Sequence, residues 1–92
     1  MSAIGEGAWR RDPDLPFQQL DGDTIVVDPR RREVHLLNET AARVWELLAS
    51  PHSLEELVTT LAEEYDAPAD EVRASTEELV RDLGEKGVFV RT

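Results

Sequence analysis

The chain has 92 residues, 20 acidic against 10 basic side chains, a net charge of −10 and no cysteine. One small domain is expected, burying only about 60–65% of its unfolded surface, with no room for a deep enzyme cleft beside a core. Disulfides and thiolate chemistry are excluded, and an acidic surface of this kind repels nucleic-acid phosphates and anionic membranes while suiting a basic or neutral partner.

Residues 1–13 lack periodicity and contain two Gly and a Pro. They read as a flexible N-terminal arm, in which Trp9 is out of place. They have no apolar stretch resembling a secretory signal, and no later apolar run approaches the roughly 20 residues that cross a bilayer. A cytoplasmic location is therefore expected. The folded domain is assigned to residues 14–92. Leu15 to Leu20 is a weak strand that Pro16 confines to an edge or a strand start. Asp21-Gly22-Asp23 is a turn, and Thr24 to Asp28 (TIVVD) has the highest β-propensity in the chain. Pro29-Arg30-Arg31-Arg32 turns again, and Glu33 to Leu37 returns. The first third thus predicts a three-stranded antiparallel meander.

Asn38 is placed to cap a following helix with its side-chain oxygen, and Glu39 enters the first turn, where the helix dipole favours a carboxylate. That helix is expected from Glu39 to about Ala49, ended by Pro51. A capping box, Ser53 with Glu56, opens a second helix running to about Tyr65. A third spans about Ala69 to Lys86, with Gly87 placed to end it in a left-handed conformation. Val88-Phe89-Val90 either pairs as a strand or plugs the core. The predicted fold class is α+β, order βββααα, the plan of a winged helix-turn-helix.

Few residues invite catalysis. His35 and His52 lie far apart, with no metal-ligand spacing, and paired carboxylates such as Glu55-Glu56 and Glu77-Glu78 read as solvated helix faces. No Gly-rich loop exists for a phosphate. No enzyme activity, catalytic residue, metal or cofactor is expected. A DNA-binding winged-helix regulator is the alternative suggested by the fold. However, the would-be recognition helix, residues 69–86, carries six acids against three bases, so counterion release cannot drive binding. Only the Arg30–Arg32 turn is basic. A carrier-protein reading fares no better: carriers resemble Asp-Ser-Leu at the modified serine, where this chain has His52-Ser53-Leu54. Peptide binding fits better, because a sheet ending in Glu33–Leu37 leaves an edge to which an extended peptide can add, with the third helix closing a groove.

Leu37-Asn38-Glu39-Thr40-Ala41-Ala42, Val44-Trp45, Ser53-Leu54-Glu55-Glu56-Leu57, Leu79-Val80 with Leu83, and Lys86-Gly87-Val88 together resemble the PqqD-like family over about residues 21–90. Members are recognition elements of ribosomal peptide natural-product pathways. The resemblance implies a leader peptide held as an added strand against the third strand and third helix. Carried over by position, it points to Val34, His35, Leu36 and Leu37 on the strand and to Val72, Arg73, Thr76, Glu77 and Val80 on the helix, with Leu79 and Leu83 in the core. The stretch from Asp21 to the Leu37-Asn38 joint looks most like the discrete leader-binding subunit of lasso-peptide systems, although Arg30–His35 replaces their aromatic-rich turn. The implied partners are a precursor peptide, a leader peptidase and a downstream modifying enzyme. A PqqD-type peptide chaperone of quinone-cofactor biosynthesis is the related alternative.

Overall fold

The structure, a computed structural model, describes residues 7–92. Its elements are β1 (Ala8–Arg11), β2 (Phe17–Leu20), β3 (Asp23–Asp28), β4 (Glu33–Leu37), α1 (Glu39–Leu47), β5 (His52–Ser53), α2 (Leu54–Tyr65), α3 (Ala69–Glu85) and β6 (Phe89–Arg91). The class is α+β as expected, but the order is not βββααα. Among the described residues, two three-stranded sheets form instead of one.

The expected meander is the β2–β3–β4 sheet, antiparallel throughout. Asp21 and Gly22, both at positive φ, make the two-residue connection between β2 and β3, the turn that matches strand twist. The β3–β4 turn is organised by Asp28. Its nearly buried carboxylate accepts hydrogen bonds from the backbone N–H groups of Arg30 and Arg31 at 3.1 and 3.2 Å. This side-chain-to-backbone pattern lets Asp start a turn. Alternation along the strands sends Thr24, Val26, His35 and Leu37 inward, and Val27, Val34 and Leu36 outward.

The second sheet, order β5-β1-β6, corrects the expected arm. Residues 1–6 lie outside the described residues, but Ala8–Arg11 is the central strand, paired with His52–Ser53 on one side and Phe89–Arg91 on the other. Trp9 is buried there against Gly84 of α3, with the Arg91 guanidinium stacked on its ring. A four-residue strand is too short to show a period, so only its partners reveal it. The tail Val88–Val90 does both things left open: Val88 and Phe89 are core residues, and Phe89 begins β6.

The helix ends follow their local chemistry. The Asn38 side chain accepts from the Ala41 N–H at 3.0 Å. Ser53 and Glu56 form the reciprocal capping box. Gly87, at φ +77°, ends α3 with Val88 N–H on the Leu83 carbonyl and Gly87 N–H on the Gly84 carbonyl, a complete Schellman pattern. Trp45 is fully buried beneath β2, its ring edge-on to Phe17 at 5.2 Å and beside the Arg11 guanidinium. α1 thus packs under the β2–β3–β4 sheet, while α3 is left to face β4 across a gap.

Candidate functional site: the groove between β4 and α3

Among the described residues, β4 pairs with β3 along one side only, and it ends the sheet. Beyond its other side lies a groove of about 370 Å³, walled by Val34–Asn38 and Ala41 on one flank and by Leu79, Asp82, Leu83 and Lys86 on the other. The strand wall follows from alternation. Val34 and Leu36 project outward with 66% and 68% of their surface exposed, while Leu37 is buried and His35 half-buried. Two aliphatic side chains this exposed on an edge strand are a concentration of apolar surface that folding alone does not require. His35 faces the helical layer, and its buried Nε2 has no hydrogen-bond partner among the described residues.

The helix wall is one face of α3 at i, i+3, i+4 and i+7 from Leu79. Lys86 and Asp82 form an ion pair on it at 3.2 Å. At the far end Arg31, from the β3–β4 turn, donates to the Lys86 carbonyl and approaches the Asp28 carboxylate. The tip of the β3–β4 hairpin is thereby fastened to the C-terminus of α3, where a cation is favoured. Arg30 is fastened too, to Asp12 at 3.1 Å. Arg30 and Arg31 of the turn are therefore intramolecular ties.

Of the residues expected at the site, Val34, His35, Leu36 and Leu37 line the groove. The helix residues do not. Val80 is fully buried in the core. Arg73 is paired with Glu55 at the start of α2, and Glu77 with Arg81 on its own helix. Val72 and Thr76 line a separate cavity farther along α3. The face turned toward β4 carries Leu79 and Leu83, read from sequence as core, together with Asp82 and Lys86. Leu83 is indeed buried, but Leu79 is only partly so. The 79-82-83-86 spacing was visible in the sequence. What was missing was the rotational phase of the helix, since neighbouring Leu79 and Val80 are equally apolar.

The resolved shifts in acidity belong to helix ties away from the groove. The Arg73 guanidinium holds the Glu55 carboxyl below its ordinary range, and Arg43 of α1 does the same for Glu64 of α2. The Glu56 carboxyl is lowered first by the Ser53 backbone N–H. Among the described residues no group of His, Asp and Glu is placed to hold a metal, and no helix is long and apolar enough to cross a membrane.

A family model for coenzyme PQQ synthesis protein D (PqqD) matches residues 23–88, most of the chain. The protein belongs to the PqqD family, as the residues of the Leu37–Ala42 joint and of the helices implied. Among solved structures, a lasso peptide synthetase B1 complexed with its leader peptide is 30% identical, over 89% of this chain and 96% of that one, with a TM-score of 0.74. Two more distant structures share the fold. TbiB1 in complex with the TbiA(beta) leader peptide has 19% identity and a TM-score of 0.79, over 87% of this chain and 93% of that one. The PqqD truncation of Methylobacterium extorquens PqqCD, a stand-alone RiPP recognition element, has 16% identity and a TM-score of 0.75, over 98% of this chain and all of that one. A search of curated protein sequences returns no significant match.

Proposed function

We propose that this protein is a non-catalytic leader-peptide-binding module of ribosomal peptide biosynthesis, of the lasso-peptide type. It captures a precursor leader as a strand added to β4, against the C-terminal half of α3, and presents it in the cytoplasm to a leader peptidase and a modifying enzyme. The observation that carries this reading is the unpaired side of β4 facing a groove, in a chain of the PqqD family. The 30% identical lasso peptide synthetase B1, complexed with a leader peptide, favours the lasso pathway over quinone-cofactor synthesis.

The magnitudes are adequate. Each backbone hydrogen bond to the edge contributes about 1 kcal/mol net, and each apolar side chain buried in the groove about 1.5–3 kcal/mol. Four bonds and two anchors give roughly 7–10 kcal/mol before association and ordering costs, so micromolar affinity is the upper limit for this set of contacts. Backbone pairing alone reads little sequence; the groove walls supply the selectivity. The winged-helix plan is, on this reading, a scaffold whose wing strand binds peptide. DNA binding has poor support, because Arg30, Arg31, Arg73, Arg81 and Lys86 are engaged in bonds within the chain and α3 is acidic.

The test is selection of displayed random peptides of about 16 residues on the immobilised protein, followed by anisotropy titration of the winners and of a labelled duplex DNA. Peptides are expected to emerge whose binding is lost in Leu36→Asp, a substitution at an exposed position that leaves the core intact. Duplex binding without peptide binding, or winners indifferent to Leu36→Asp, would overturn the proposal.

A further inference from the structure

The β2–β3–β4 sheet has two ends, and the leader-binding reading uses only β4. The other end is β2. Among the described residues, Phe17–Leu20 pairs with β3 alone, and all four of its residues are exposed. The turn decides which of its backbone groups are free. Leu20 and Asp23 flank a two-residue connection, so they exchange both of their hydrogen bonds, and antiparallel alternation makes Gln18 with Ile25 the next bonded pair. The Val27 N–H on the Pro16 carbonyl, at 2.9 Å, follows in the same rhythm. Phe17 and Gln19 stand between these pairs. Their N–H and C=O groups therefore point away from β3.

Such an edge is a template for another strand, and charges or bulges are the usual guards against it. Phe17–Leu20 carries no charge in a chain of which 33% is charged, and its ladder with β3 has no bulge. Pro16 and the Asp21-Gly22 turn bound it, so a partner strand has only four residues to match. A second copy of β2 matches them. Turned about a two-fold axis at Gln18, an antiparallel copy sets Phe17 opposite its Gln19 and Gln19 opposite its Phe17. The four hydrogen bonds of those two pairs use every outward backbone group on both strands. Gln18 then faces Gln18 of the second copy in the intervening pair, where side chains approach most closely. A carboxamide both donates and accepts, so this contact is self-complementary. Leu20, 43% exposed, falls opposite Pro16 of the second copy.

We propose that β2 is an interface through which two copies of this chain associate, joining their sheets into one of six strands with a β4 at each outer end. The contact is isologous and consumes the only free side of β2, so it closes at two copies. It leaves both β4 grooves open, and it does not depend on what those grooves bind. Four-residue strands bury less than the roughly 1,200 Å² of a stable interface, so the dimer is weak and governed by concentration. Each copy also carries a net charge of −10, and the pairing brings the Asp21 and Asp23 turn toward the segment holding Asp12 and Asp14 of the second copy. Salt therefore strengthens this contact by screening.

Sedimentation equilibrium of the full chain from about 10 µM to 1 mM is expected to show a reversible monomer–dimer equilibrium. Its Kd should fall several-fold between about 50 and 500 mM salt. Gln19→Pro deletes one outward N–H while leaving the bonds to β3 intact, and Gln18→Lys sets like charges opposite each other on the exposed face. Each should weaken the dimer about tenfold or more without loss of the folded circular-dichroism spectrum. Cross-linking supplies a second readout, because the chain has no cysteine. In the symmetric pair the Gln18 Cα atoms stand about 4.5 Å apart, within disulfide reach. Gln18→Cys should therefore oxidise to a covalent dimer about tenfold faster than Gln19→Cys, which faces Phe17 on the other side of the sheet, or Leu36→Cys on β4. A monomer at every concentration and salt, a dimer indifferent to both β2 substitutions, or equal cross-linking at the three positions would overturn the proposal. Species that keep growing beyond two copies would also overturn it, since they require β2 to pair with a different edge.

Discussion

Gly87→Ala tests the tie between the hairpin tip and α3. Gly87 sits at φ +77°, and a Cβ built there would lie 3.1–3.3 Å from three atoms of the Arg31 guanidinium. Two costs arise. An L-residue in a left-handed conformation loses about 1–2 kcal/mol. The added methyl also pushes Arg31 off the Lys86 carbonyl; because Arg31 is half-exposed, that charge-assisted bond is worth only about 1 kcal/mol after solvent screening. The total is about 2–3 kcal/mol, which for a domain of this size lowers Tm by roughly 10–20 °C. Gly22→Ala is the comparison. It also stands at positive φ, +93°, but a Cβ there meets nothing within 4 Å, so it bears the backbone cost alone. Thermal unfolding followed by circular dichroism measures each variant, and Arg31→Ala completes a double-mutant cycle. In the Arg31→Ala background the Gly87→Ala loss should shrink by about 1 kcal/mol, to the size of the Gly22→Ala loss. An unchanged loss would refute the tie. The same variant should weaken peptide binding, because the hairpin tip at the end of the groove is released.

Two further outcomes follow from charge. Affinity for a peptide containing Lys or Arg should fall as salt is raised from about 50 mM to 500 mM, because α3 carries six acids, yet it should remain measurable because apolar anchors are not screened; affinity flat across that range would dismiss the electrostatic contribution. The Glu55 and Glu64 carboxyls, held below their ordinary 4.5 by Arg73 and Arg43, contribute stability that is present above about pH 4.5 and lost as pH falls through their lower folded values. Denaturant unfolding at pH 6 and pH 3 should show this loss, and Glu64→Gln should show a smaller one. An identical acid sensitivity in the variant would show that the Arg43–Glu64 tie does not contribute.

Much of the architecture is local and was therefore legible. Asp21-Gly22 can only be a tight connection, Asn38 and Ser53 are caps whose partners lie three residues away, and Gly87 and Val88 end α3 through bonds to carbonyls three and five positions before them. The antiparallel meander follows from strand propensity joined by such turns. The alternation of Val34, His35 and Leu36 also fixed which of them share a face.

What the sequence could not decide is what depends on distant partners. Ala8–Arg11 becomes a strand because β5 and β6 flank it, and Trp9 becomes core because Gly84, 75 positions later, lets α3 approach it. The helical half of the groove is the clearest case. The stripe Val72, Thr76, Leu79, Leu83 was present in the sequence, but two members face one cavity and two another. That division depends on where β4 and α1 meet the helix. Periodicity gives a helix an apolar face; only packing determines which turns of that face lie against β4, and therefore where the groove runs.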